Sequence, residues 1–161
     1  MPLDIFTPLG ADAIAQEELA IEIFHRYQAS HGYTFKHTDK TKPVLFDGYI
    51  MNGETVRAIV ESKCRYDTDY QEFRDRRKNV WLITESKLLR CCEIAASMNV
   101  PLYGFLYFVK CKTLLVMEIA DRRGRPREYK RAKTESKATI NGGTASRWNA
   151  LINMDNARVW R

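Results

Sequence analysis

The distribution of apolar residues divides the chain into segments of different period. Ile14, Ala20, Ile21, Phe24 and Tyr27 recur at helical spacing, and Gly32 offers a left-handed stop, so residues 11 to 31 are predicted to form a helix. From Tyr33 to Thr38 the pattern switches to alternation rich in aromatic and β-branched side chains, which predicts a strand. A polar break at Asp39 to Lys42 precedes two more predicted strands, Val44 to Met51 and Thr55 to Cys64, joined across Asn52-Gly53-Glu54. Tyr66 to Lys78 is highly charged and reads as a loop or short helix, and Val80 to Ile83 is a short apolar run. Thr84 is a suitable N-cap for a helix reaching Met98, with an apolar stripe of Leu88, Leu89, Cys92, Ile94, Ala95 and Met98. Pro101 ends that run, and Leu102 to Val109 and Thr113 to Ile119 predict two antiparallel strands. A basic stretch follows, then a tail with turn chemistry at Asn141-Gly142-Gly143 and one or two short strands. The predicted order is α-β-β-β-α-β-β, an α/β arrangement with a mixed sheet and helices packed on it.

Length adds that the 161 residues suit one domain, read as a core over about 11–120 with a basic C-terminal extension over 121–161. The 45% apolar content suffices for a proper core and excludes global disorder. Trp81, Trp148 and Trp160 read as core or edge aromatics. No apolar stretch reaches membrane-spanning length, and residues 1–10 lack the basic start and apolar core of a secretory signal, so a cytoplasmic protein without membrane contact is expected. Cys64, Cys91, Cys92 and Cys111 form no CxxC pair, so they read as reduced thiols, and His25, His31 and His37 stand at no metal-ligand spacing.

Charge changes the picture more. The net charge is +6, and between Asp121 and Lys137 eight basic residues face three acids, which is 8 − 3 = +5. Arg122, Arg123, Arg125, Arg127, Lys130, Arg131, Lys133 and Lys137 thus hold nearly all of the excess, a footprint suited to a polyanion such as nucleic acid.

Candidate chemistry lies in the run from Pro43 to Gly48 (PVLFDG) and the strand that follows it. Asp47 falls on one predicted strand, and Glu61 and Lys63 end the next. Residues two apart in a strand share a face, so Glu61 and Lys63 point one way and Val60, Ser62 and Cys64 the other. Two neighbouring carboxylates need a cation between them or a proton on one of them, so Asp47, Glu61 and Lys63 make a seat for Mg²⁺. Glu-x-Lys by itself says little. With eleven Glu and eleven Lys about one occurrence arises by chance, and the form Glu-Ser-Lys alone is present three times: Glu61–Lys63, Glu85–Lys87 and Glu135–Lys137. The first alone ends an apolar strand preceded by an Asp-bearing one.

In that context the run resembles the PD-(D/E)xK nuclease superfamily, with Asp47 as its first acid and Glu61 and Lys63 as its (D/E)xK pair. The layout over residues 11 to 109 is similar to the family's α-β-β-β-α-β order, a restriction-endonuclease-like core, and closest to Holliday-junction-resolvase-like endonucleases. The resemblance implies a metal, Mg²⁺ with Mn²⁺ as a substitute, held by Asp47, Glu61 and the main-chain carbonyl of Ser62. It implies a further glutamate from the first helix, where Glu18 fits and Glu17 and Glu22 are rivals, and a polar residue on the next helix, where Lys87 stands. The QxxxY motif of one branch is absent there. The resemblance also implies DNA hydrolysis leaving a 5′-phosphate, Lys63 at the attacking water, phosphates held by the Arg122–Lys133 segment, and a homodimer. An RNA-cleaving or restriction-like enzyme, or a non-catalytic nucleic-acid-binding module, stays open.

The hairpin decides whether the two acids can meet. A two-residue Asn52-Gly53 turn would pair Asp47 with Ala58 and point it away from Glu61. A three-residue Gly53-Glu54-Thr55 turn, or a bulge at Gly48, would bring Asp47 level with Glu61, and the sequence leaves both open.

Overall fold

The computed structural model describes residues 8–39, 41, 44–135 and 146–161. Lys42, Pro43, Lys137 and the Asn141-Gly142-Gly143 turn lie outside the described residues, as does the start of the chain through residue 7. The described elements run α1 (Pro8–Gln28), a 3₁₀ turn (Ala29–His31), β1 (Tyr33–His37), β2 (Gly48–Asn52), β3 (Thr55–Arg65), α2 (Tyr70–Asp75), β4 (Val80–Thr84), α3 (Glu85–Met98), β5 (Leu102–Phe108), β6 (Thr113–Ala120), β7 (Lys130–Glu135), β8 (Ser146–Asn153) and β9 (Arg158–Trp160).

Six strands form the main sheet in the order β1-β2-β3-β5-β6-β9, in which β3 and β5 are parallel and every other neighbour antiparallel. The parallel pair is central, and β5 is a nearly continuous apolar run, as burial on both faces requires. One face packs on α1 through Ala20, Ile21, Ile23 and Phe24, which meet Ala58, Val60, Phe105 and Val116. Burying each large apolar side chain there contributes about 1.5–3 kcal/mol. The other face carries Ile59, Leu102, Leu106 and Met117 and is covered by α3 through Leu88, Cys92 and Ala95, together with Trp81 of β4. The mixed sheet flanked by helices is therefore as expected.

Four details depart from the sequence reading. Val44 to Asp47 is not strand, and β2 begins only at Gly48. Thr84 precedes α3 without a side-chain cap, since its hydroxyl makes no bond to the first turn. Val80 to Thr84, read only as a short apolar run, is a strand of a second sheet, β4-β8-β7, formed with the tail. Part of the basic stretch is a strand, β7, because β8 supplies an edge for it. Trp160 closes the far edge of the main sheet and stacks on Tyr27 of α1 at 5.1 Å and 8°. No helix among the described residues is long and apolar enough to cross a membrane.

Candidate metal centre

The β2–β3 hairpin turns through two residues, Gly53 and Glu54, with Asn52 opposite Thr55. Gly53 has φ +60° at the first central position, the geometry of a II′ turn, which an L side chain resists. The ladder then shifts by one, Met51 pairing with Val56 and Ile50 with Ala58, so that Arg57 is an extra residue in β3. From there Gly48 pairs with Val60, which brings residue 47 level with residue 61. Neither the Asn52-Gly53 turn nor the three-residue turn forms; a bulge at Arg57 sets the register.

Asp47 stands just beyond the end of β2. Its N–H donates to the Val60 carbonyl at 2.9 Å, and its carbonyl accepts from the Thr38 N–H and hydroxyl at 3.1 and 2.9 Å. Its carboxylate takes the next place in the ladder, Oδ2 accepting from the Ser62 N–H at 2.7 Å. In an extended strand a residue's N–H and C=O point to the same side, so the Ser62 carbonyl also looks towards Asp47.

Glu61 is 5% exposed and lies within hydrogen-bond reach of Asp47. In the parallel ladder it stands beside Gly104. A Cβ at Gly104 would run into the Trp81 indole, so the missing side chain lets that ring cover the position next to Glu61. Burial, then the Asp47 charge, push the Glu61 carboxyl up to about 8, against the pull of Lys87. Lys87, reaching down from the first turn of α3, holds Glu61 Oε1 at 2.5 Å. Burial works against the Lys87 charge, but the Glu61 carboxylate outweighs it and holds the ammonium above its ordinary range. Among the described residues no group donates to the other oxygen, the buried Glu61 Oε2.

A divalent cation fits this donor set. An orphaned carboxylate oxygen lies beside a second carboxylate, a main-chain carbonyl faces the same gap, and Mg²⁺ needs only one or two carboxylates because it keeps waters. Among the described residues, no group of three or more His, Cys, Asp or Glu side chains gathers here. The structure thus brings together Asp47, Glu61, Ser62 and Lys87. Lys63 shares the face of Glu61, beside Leu106, but is exposed.

The helix-1 acids lie on the other face. Glu18 Oε1 is bound by His37 Nε2 at 2.6 Å, and His37 pairs with Gly48, next to Asp47. Glu17 and Asp47 both act on Cys64, whereas Glu22 acts on Tyr107. The charges acting on Glu61 are Asp47 and Lys87.

The basic stretch does not form one surface. Asp121 folds the first part back: Oδ1 accepts from the Arg123 and Arg125 N–H groups at 2.9 and 3.0 Å, and Oδ2 pairs with Arg125 Nε at 2.9 Å. Arg127 Nε donates to the Glu118 carbonyl at 2.6 Å. Arg131 Nε binds Glu85 Oε2 at 2.8 Å, beside the Tyr129 hydroxyl, and lies 4.2 Å from the Trp148 ring centroid. Lys133 reaches the same ring at 5.9 Å. Glu85 is two residues before Lys87, so this exposed Trp148 platform is moored to the first turn of α3, where the carboxylate pair is also held. Arg122, Arg123, Lys130 and Lys133 are exposed, with no carboxylate partner among the described residues.

Gly104, Thr38 and His37 support the site unannounced by any motif. Gly104 had a signal, a glycine inside an apolar strand, which marks close approach.

The fold is similar to that of Hjc, a Holliday junction resolvase from the archaeal hyperthermophile Archaeoglobus fulgidus, with a TM-score of 0.50 and 12% identity over 88% of this chain and 93% of that one. At that identity the likeness is one of fold. Neither the family models nor the curated proteins give a match to this sequence.

Proposed function

We propose that the chain is a metal-dependent endonuclease that hydrolyses DNA phosphodiester bonds, with branched or junction DNA as substrate. One observation carries the reading: the Arg57 bulge brings Asp47 and Glu61 together around a buried carboxylate oxygen to which no group among the described residues donates. The fold shared with a Holliday junction resolvase supports it.

In this reading Asp47, Glu61 and the Ser62 carbonyl would hold Mg²⁺ or Mn²⁺, with Glu18 or Glu17, across the sheet but near Asp47, acting only through water. The bound ion supplies Lewis acidity, activating water and neutralising phosphate charge. Lys87 offsets the negative charge of the two carboxylates so that both can ionise around a cation. Lys63, free to swing at the exposed end of β3, orients the attacking water and stabilises developing charge. Trp148, with Arg131 and Lys133 across its ring, offers a stacking platform beside the site. Arg123, Arg125 and Lys130 add phosphate contacts that carry no sequence information. Cutting two strands of a junction takes two such sites, hence two copies of this chain.

The test is incubation of the full chain with linear, circular, single-stranded and four-way-junction DNA, and with RNA, in Mg²⁺, Mn²⁺ or EDTA. Cleavage of junction DNA that EDTA abolishes is expected. Nucleic-acid binding without cleavage in any metal would replace the enzyme with a binding module.

A further inference from the structure

On the face of the main sheet opposite the carboxylate pair lies a cleft of about 600 Å³, within the range of small-molecule sites. It sits at the other end of β3, on the α1 side. Arg57 is four residues from Glu61, about 13 Å along the strand. Four arginines line it: Arg57, Arg122, Arg127 and Arg158. They come from separate parts of the chain, the β3 bulge, the turn after β6 and the first residue of β9. Glu118 is the single acid in the lining.

Straight alternation would send Arg57 and Ala58 to opposite faces, yet both line this cleft, because the bulge re-aims Arg57. Among the described residues Arg57, Arg122 and Arg158 have no carboxylate partner, while Arg127 is steadied by the Glu118 carbonyl. Four guanidinium groups around one carboxylate leave a surplus of positive charge whose mutual repulsion an anion relieves. The cleft holds no lysine, and forked guanidinium donors match phosphate oxygens two at a time. Its walls include Tyr33 and Tyr103, half-buried rings on which a base can stack. Tyr103 stands within electrostatic reach of Glu118, Arg158 and Arg127, so ring and cations converge on one place.

We infer that this cleft is a second, non-catalytic site that binds a phosphate-bearing nucleotide, either free or as the 5′-phosphorylated end of a strand. The intervening sheet keeps it apart from Asp47 and Glu61, so the inference does not depend on the proposed cleavage.

Calorimetric titration of the full chain in EDTA tests this, with deoxyadenosine monophosphate, deoxyadenosine, inorganic phosphate, and a trinucleotide with and without a 5′-phosphate as probes. Binding of the phosphorylated probes is expected, with deoxyadenosine at least tenfold weaker. The combined Arg57→Ala and Arg158→Ala variant should lose roughly 100-fold, about tenfold per arginine. The Asp47→Asn chain should bind as wild type. Tighter binding of the 5′-phosphorylated trinucleotide than of the mononucleotide assigns the site to strand ends, and equal or weaker binding assigns it to free nucleotide. An NMR titration of the wild-type chain adds a readout independent of the variants: amide shifts should centre on Tyr103 and Trp160, not on Ser62 and Lys87. Failure of wild type to bind any phosphorylated probe, retention of binding in the double variant, or shifts centred on Ser62 would each overturn the inference.

Discussion

The two ends of β3 carry opposite solutions to burying charge. At one end, on the α3 face, Glu61 is enclosed under Trp81 and α3 with one cation, Lys87, and a second carboxylate, Asp47. At the other, on the α1 face, Arg57 joins three more arginines in an open cleft with Glu118 as counter-charge. The enclosed end is buried, and its carboxyl is pushed up to about 8, so in the proposed reading a cation would bind there by displacing a proton. The open end keeps its cations hydrated and permanently charged, so it recruits an anion without any proton exchange. One extra residue in β3 serves both, setting the 47–61 register and turning Arg57 outward.

The largest effect expected at the enclosed end is catalytic. Asp47→Asn and Glu61→Gln should each lower cleavage by on the order of 10²–10³-fold or more, with DNA affinity within about threefold of wild type. Single-turnover assays paired with binding measurements in Ca²⁺ would expose the opposite result, full cleavage by Asp47→Asn.

Next in size is the roof. Gly104→Ala puts a methyl into the Trp81 ring and should destabilise the fold by about 1–3 kcal/mol in a urea titration. An unchanged midpoint would mean that Trp81 moves aside freely, and Glu61 would then lose its cover.

Protonation gives a subtler signature. Because the folded-state value for Glu61 lies near 8, above its ordinary 4.5, the folded chain binds more protons than the unfolded one between those limits. Stability from this group is therefore fully present below about 4.5 and is lost as pH rises through about 8. In EDTA stability should fall with pH by about 1.4 kcal/mol per unit at most, and Glu61→Gln should remove that slope. Mg²⁺ should restore stability at high pH in wild type but not in Asp47→Asn. A Glu61→Gln chain with the wild-type slope would show that another group titrates.

The smallest effect belongs to the open lysines. Lys130→Ala with Lys133→Ala should flatten the dependence of log K for DNA on log salt by about 1–2 units, at roughly 0.9 per phosphate contact. Arg125→Ala should change that slope less, because Asp121 already holds its guanidinium. An equal change for Arg125 would mean that DNA displaces this ion pair.

Much of this was legible along the chain, because period and punctuation are local. The α3 stripe, the β5 and β6 strands and the stop at Gly32, which adopts φ +83°, follow from side chains a few residues apart. The choice of Asp47, Glu61 and Lys63 as candidates also rests on local spacing, and the structure brings Asp47 and Glu61 together while Lys63 stays exposed. What the chain alone left undecided was register, because the bulge at Arg57 has no residue signature and the competing turns differ by one position. Tertiary structure alone set β4 in a second sheet, made a strand of Lys130–Glu135 and split the basic stretch between Asp121, Glu85 and a cleft on the far face. Each of these depends on which edge, acid or ring lies within a few ångströms, and chain distances as large as the 46 residues between Glu85 and Arg131 carry no record of it.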